Sequence, residues 1–535
     1  MSSGYRYEGG PEWWRHAVIC QVYPQSYQDT DGDGMGDLPG ILSRLGHLSW
    51  LGVGAVWLSP VYPSPMVDGG YDVSDYTGID PRFGTMEDFD RLLSAMREAG
   101  IRLILDCVPN HSSDRHPWFA ESRASRGNPR RDWYVWADPA RDGGPPNNWL
   151  SRFGGSAWKL DEGTGQYYYH AFHEAQPDLN WRNPAVREAM AEVLRFWLRR
   201  GADGFRLDAT GVLIEDALLR DDPPKPDAGD STPPPERQKR VFTDSRPEAI
   251  DCIVGLREAL DEFPERLLMG EADVSTDRAT RFYGGRDRPA LHFPLNFRLL
   301  DTPWDARSLA AAIDEYLNIV PPHGWPCWAL GGHDKRRIAG CVGPAQARVA
   351  AMLHMTLPGT AIFYAGDEIG MPNVEIPADR GQDPFEKLVP GYDLSRDPER
   401  TPMRWDSGPK AGFTTGEPWL PIGPDVETVN VATQRDDPRS ILALYRALIA
   451  LRRERTALRG NGCEPLRSEG DVLAFRRRAG GQGVLVALNL GAEAASFSLG
   501  DRGRVLLSTH LDRAGEACSG ALQLRPDEGL VLALG

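Results

Sequence analysis

Short apolar runs alternate with longer amphipathic stretches from Val18 onward. The runs VICQVYP, VGAVWLSP, IRLILDCVP, GFRLDA, RLLMGEAD, ALHFPLNF, CWALGG and GTAIFYAG have the continuous apolar density of strands buried on both faces. Stretches such as MEDFDRLLSAMREAG and REAMAEVLRFWLRRG carry helical spacing, and a segment of that kind precedes each run after the first. Strand-helix units repeated over roughly 450 residues predict an α/β fold, a (β/α)8 TIM barrel. A doubly wound open sheet is the competing architecture, but no GxGxxG turn follows the first strand.

Two stretches break the alternation. Between Asn110 and Asp178 the third unit is interrupted by Trp-, Gly-, Asp- and Tyr-rich sequence, too long for a loop without structure of its own. It predicts a subdomain inserted after strand 3, over the barrel mouth, at residues 112–177, between barrel parts 1–111 and 178–456. A second insertion at 215–245 contains PPKPDAGDSTPPPERQ, whose prolines forbid helix and suggest a mobile rim segment. After ILALYRALIALRRERTALR the texture changes to short alternating strands, VLAFRRR, GVLVALNL, RVLLSTHL and LVLAL. Residues 457–535 therefore read as a C-terminal antiparallel β domain.

Composition narrows the function. The 535 residues carry a formal net charge of −16 and no long Lys/Arg block, which argues against nucleic acid as a partner. The N-terminal stretch has no apolar core of a secretory signal, and no uncharged run is long enough to span a bilayer, so a soluble, cytoplasmic protein with no membrane partner is expected. Seven scattered cysteines without a CxxC pair suggest neither a disulfide framework nor a zinc site.

Candidate chemistry gathers at strand ends. In ADGFRLDA, Arg206 and Asp208 share one face, an arrangement that suits a carboxylate nucleophile or a structural ion pair. Asp106, His111, Glu271, His333 and Asp334 close other strands. Carboxylates on separate strand ends, Asp208, Glu271 and Asp334, suit acetal cleavage, which needs a proton donor and an anion on the opposite face of an oxocarbenium-like centre. The loop DTDGDGMGD, Asp29 to Asp37, is a compact oxygen cage for a hard divalent cation, with side-chain oxygens from Asp29, Asp31, Asp33 and Asp37 and the carbonyl of Met35. An EF-hand would require glutamate where Gly40 stands. A structural role is expected, since no water-activating histidine is implied.

The segments DCVPNH, GFRLDA, GEAD and GGHD, in this order and spacing, resemble the signature regions of the α-amylase family, glycoside hydrolase family 13. QPDLNW and RDPERTPMRWD resemble its α-glucosidase and oligo-1,6-glucosidase branch. The resemblance implies a retaining, exo-acting α-glucosidase: Asp208 as nucleophile held by Arg206, Glu271 as acid and base, and Asp334 with His333 and His111 holding sugar hydroxyls. It further implies Asp68 and Tyr71 as floor and stacking residue of the terminal-glucose subsite, Arg396 pairing with Asp68, and Phe153, Phe172 and Gln176 as pocket wall. The aspartate loop is similar to the branch's calcium or magnesium site. A transferase or a trehalose- or sucrose-isomerising enzyme of the same family is the alternative; a non-catalytic assembly subunit is disfavoured by retention of the three acids. Two departures stand out. Gly332 replaces the usual asparagine, and Ala209 stands where α-1,6-selective members tend to have valine, which leaves room for an α-1,4-linked, maltose-like substrate.

Overall fold

The computed structural model describes residues 12–272, 276–460, 462–500 and 502–534. Asp273, the last residue of the GEAD segment, lies outside the described residues. The eight apolar runs form one parallel sheet: β1 Val18–Val22, β2 Ala55–Leu58, β3 Arg102–Cys107, β4 Gly204–Leu207, β5 Leu267–Gly270, β6 Phe293–Pro294, β7 Cys327–Ala329 and β8 Thr360–Tyr364. Pairing runs β6-β5-β4-β3-β2-β1-β8-β7. The remaining gap is spanned where the Ala329 N–H of β7 donates to the Asn296 carbonyl just after β6, at 3.0 Å, which nearly closes the barrel. Helices α1 Leu38–Leu51, α2 Met86–Glu98, α3 Pro184–Arg200, α4 Glu248–Asp261, α5 Ala306–Ile319, α6 Ile338–Thr356 and α7 Ile441–Glu454 surround it.

Local chemistry sets these boundaries. Thr85 and Asp88 form a reciprocal capping box at the start of α2, and α1 ends at Gly52 in the left-handed region, φ 87°. The helical segment expected before each strand after the first is reduced before β6. Among the described residues, one helical turn at Thr276–Ala279, a 3-10 turn at Thr280–Tyr283 and the short pair Gly284–Gly285 with Arg288–Pro289 separate it from β5, because ATRFYGGRDRPALHF offers glycines and charges but no apolar helical repeat.

Between β3 and α3 stands a small antiparallel sheet whose central strand, Gln166–Tyr169, pairs with Trp136–Ala137 and Trp158–Asp161. Its own core is aromatic, built on Trp149, Trp158, Tyr167 and Tyr169. The proline-rich stretch is tied to this sheet. Asn148 and Asp222 exchange hydrogen bonds, the Trp149 indole donates to the Arg220 carbonyl at 2.8 Å, and Gln238 donates to the Asn148 carbonyl at 2.8 Å. The segment expected to be a mobile rim is thus an anchored wall. Beyond α7, an antiparallel sheet of six strands from Arg467–Glu469 to Gly529–Leu534 covers its own apolar cluster with the pair Ala495–Ser498 and Ala521–Leu524.

Candidate active site

Register places the chemistry. Asp106 of β3 lies directly beside Arg206 of β4, and Leu207 beside Gly270 of β5, so Asp208 and Glu271 emerge side by side one residue beyond their strands. Arg206 and Asp208 face the same side, two residues apart. The buried Arg206 guanidinium donates through Nη1 to Asp106 Oδ1 at 2.9 Å and to Asp208 Oδ1 at 2.8 Å, and through Nη2 to Glu271 Oε2. One cation therefore serves three carboxylates. Burial pushes the Asp208 carboxyl well above its ordinary range, Arg206 opposes this, and the charges of Glu271, Asp106 and Asp334 add to it. Burial also raises Asp106, to about 6, although Arg206, the Trp57 indole and the Tyr71 hydroxyl bond it. One cation shared by three buried carboxylates disfavours full ionisation of the group.

Asp334 has the opposite environment. Burial would raise it, but His333, Arg400 and Arg396 hold it well below the usual carboxylate range. Arg400 bonds its Oδ1 directly and also donates to the His333 carbonyl at 2.9 Å. The environments of Asp208 and Asp334 thus push like groups in opposite directions.

A cavity of about 1200 Å³ opens over these groups. Asp68, Tyr71, His111, Phe153, Phe172, Asp208, Glu271, Asp334 and Arg396 line it. Gln176, Arg206 and His333 are buried directly behind that lining. The Tyr71 ring stacks on His333, centroids 5.2 Å apart at 4°. Arg396 Nη2 donates to Asp68 Oδ1 at 2.8 Å and to Asp383 Oδ1 at 2.7 Å, and Gln176 Nε2 donates to Asp68 Oδ2 at 3.0 Å. His111 sits against Gln176, 3.1 Å away, and Gln176 in turn bonds Asp68. Burial lowers its pKa to about 4, so it is a neutral hydrogen-bonding group. Phe153 packs on Phe385 and under the Arg396 guanidinium.

Asp106, a strand-end candidate in the sequence, shares Arg206. Other residues outside the sequence-derived set belong here: Asp383 anchors Arg396, and Arg400 follows Arg396 by one helical turn, Asp397–Arg400, a spacing visible within RDPERTPMRWD. Arg152, paired with Asp244 of the anchored rim at 2.6 Å, and Lys335 line the outer cavity.

In the aspartate loop, ligand oxygens of Asp29, Asp31 and Asp37 all lie within 4.8 Å of one another. Asp33 stands apart from that group, and its Oδ1 accepts from the Met35 N–H at 2.7 Å. Asp29 also accepts from the Gly32 and Gly34 N–H groups and from the Thr414 hydroxyl, which ties the loop to the segment after β8.

Carboxylates clustered at the carboxyl end of a nearly closed (β/α)8 barrel define a glycoside hydrolase. The model of the alpha amylase catalytic domain matches residues 21–461, and the chain belongs to the α-amylase family, glycoside hydrolase family 13. It is 42% identical over 504 residues to a probable alpha-glucosidase of Rhizobium meliloti (strain 1021), covering 91% of each chain. Among solved structures it is similar to XgtA, an alpha-glucosyl transfer enzyme, with a TM-score of 0.91 and 40% identity over 98% of this chain and 100% of that one. It is also similar to the trehalulose synthase MutB from Pseudomonas mesoacidophila MX-45, with a TM-score of 0.88 and 35% identity over 99% and 100%. No helix among the described residues is long and apolar enough to cross a membrane.

Proposed function

We propose that the chain is a retaining, exo-acting α-glucosidase that releases glucose from the non-reducing end of short α-linked glucosides. The observation that carries this reading is the pairing of Asp208 and Glu271 through neighbouring nitrogens of one guanidinium. Held in this way, the two carboxylates stand as neighbours at the cavity, as the nucleophile and the acid of a retaining pair do, and the short separation of such a pair, about 5–5.5 Å, is part of the proposal. Asp208 attacks the anomeric carbon and forms a β-glucosyl ester as Glu271 protonates the departing oxygen. Glu271, now ionised, takes a proton from water, which displaces the ester and restores the α anomer. Asp334 and the Asp68–Arg396 pair orient hydroxyls of the distorted ring, and that pair closes the blind end of the cavity, which favours removal of a terminal unit.

A transfer or isomerisation reading uses the same ester and differs in what meets it. It is favoured by the likeness to a glucosyl transfer enzyme and a trehalulose synthase, and by a cavity much larger than one glucose. The lining residue Ala209 is small and lies in the left-handed region, φ 49°, which supports an α-1,4 preference by leaving space beside the leaving sugar. A panel of maltose, isomaltose, sucrose, trehalose and maltotriose, with every product and its anomer identified, tests the proposal. Glucose released first as the α anomer supports hydrolysis with retention; first release as β-glucose refutes it; isomerised disaccharides without free glucose support the second reading.

For the aspartate loop we propose Ca2+, or Mg2+, in a structural role. The oxygens of Asp29, Asp31 and Asp37 fit such an ion, because ligands about 2.4 Å from a common centre stand no more than twice that distance apart. The Met35 carbonyl completes the proposed set, with Asp33 left outside it. The ion would supply charge neutralisation to the loop, while Asp29 itself fastens the loop to Thr414.

A further inference from the structure

Gln21 lies in the middle of β1, fully buried, between Trp57 of β2 and Tyr364 of β8 in register. Its side-chain Nε2 is 2.7 Å from His333 Nδ1 and 3.3 Å from Ser59 Oγ. On the other side of the ring, His333 Nε2 stands 3.2 Å from Asp334 Oδ2. The ring cannot turn away from either contact, since Tyr71 and Tyr23 sandwich it, at centroid distances of 5.2 and 5.4 Å and angles of 4° and 18°. We propose that Gln21 is a positioning residue for glycoside hydrolysis, its amide N–H fixing His333 as the Nε2–H tautomer, which turns a positive edge of the ring toward the Asp334 carboxylate.

Two contacts favour the same proton placement. An ionised carboxylate 3.2 Å away favours hydrogen over a lone pair on Nε2 by its charge, although the two are out of line for a hydrogen bond and Nε2 has no hydrogen-bond partner among the described residues. In a neutral imidazole the other nitrogen is then bare and requires a donor, which the Gln21 amide nitrogen supplies. The ring is neutral because burial pushes its pKa down to about 3, with Arg400, Arg206 and Arg396 contributing beyond the opposing Asp334 charge. In the orientation the structure gives, the amide nitrogen meets both His333 Nδ1 and Ser59 Oγ, and Oε1 has no hydrogen-bond partner among the described residues. A Cβ on Gly332, where the family usually has asparagine, would lie 3.4 Å from Gln21 Oε1 and 3.4 Å from Phe297 Cε1.

The inference rests on the reading of Asp334 and His333 as the hydroxyl-binding pair, but its test is read independently of substrate. Full-length protein labelled with 15N-histidine gives two-bond 1H–15N correlations that distinguish ring tautomers, and His333→Asn assigns the signal by its loss. Wild type is expected to show His333 protonated only at Nε2. Gln21→Met, similar in length but without the amide, is expected to show both tautomers and to lower kcat by about 10- to 100-fold with KM within about threefold, the usual range for losing an outer-shell orienting bond. Gln21→Glu is expected to draw a proton to Nδ1 and to move the pH profile of kcat. A wild-type signal protonated at Nδ1 overturns the proposal, as does Gln21→Met that keeps the pure Nε2–H form and its kcat. If Gln21→Met does not fold, the wild-type spectrum and Gln21→Glu decide. A substrate panel without glucose release would fail the glucosidase reading while leaving the tautomer result standing.

Discussion

Arg396 lines the cavity and pairs with three carboxylates. It pairs with Asp68 at 2.8 Å, with Asp383 at 2.7 Å and with Asp334 at 3.5 Å. The side chains of Arg396, Asp68 and Asp383 are only 15%, 7% and 0% exposed, so solvent does little to screen them. Arg396→Met leaves these carboxylates without their common partner, a loss of about 3–5 kcal/mol by analogy with broken buried pairs. Asp68→Asn keeps the Asp383 contact and costs less, about 1.5–3 kcal/mol for one charge-assisted hydrogen bond. If the pair also orients the terminal glucose, Asp68→Asn lowers kcat/KM on maltose about 10- to 150-fold, since each 1.4 kcal/mol is tenfold. A double-mutant cycle read by denaturant midpoint and by kcat/KM should give a coupling of about 1–3 kcal/mol in each. Additive effects, or Asp68→Asn activity on maltose within twofold of wild type, would refute the closed-subsite reasoning.

Asp208→Asn should abolish turnover, and Glu271→Gln should retain slow ester formation only with activated leaving groups such as glucosyl fluoride; steady-state assays on both substrate types check this. Chelation should lower the melting temperature more than the rate per folded molecule, and a chelator that stops turnover without loss of stability would contradict a structural ion. Burial raises Glu399 from 4.5 to about 8, with Asp334 reinforcing it against Arg400. Its contribution to stability is fully present below pH 4.5 and is lost as pH rises through about 8. Glu399→Gln should therefore raise the melting temperature at pH 8 more than at pH 5, measured by calorimetry.

The barrel strands were legible because burial on both faces makes each a dense apolar run, as in IRLILDCVP and GTAIFYAG. The stretch before β6 was not, because regular alternation elsewhere led to an expected helix that the glycine- and charge-rich sequence does not form. Arg206 and Asp208 were readable from period two within one strand. The Asp68–Arg396 contact spans 328 positions, and no local pattern encodes it; only the resemblance of the flanking motifs suggested it. Asp383, which anchors Arg396, and Gln21, which meets His333, sit in segments whose sequence carries no chemical signature, so only the folded contacts bring them into the site. Asp33 shows the converse: alternate spacing suggested a ligand, but its carboxylate turns back to the Met35 N–H.

The central claim is that Asp208 becomes covalently glucosylated. Glu271→Gln reacted with α-glucosyl fluoride, quenched in acid and digested, should yield the peptide containing GFRLDA heavier by one anhydroglucose, with the modification on Asp208. An unmodified Asp208 peptide alongside continued fluoride release, or the sugar on another carboxylate, would contradict the account.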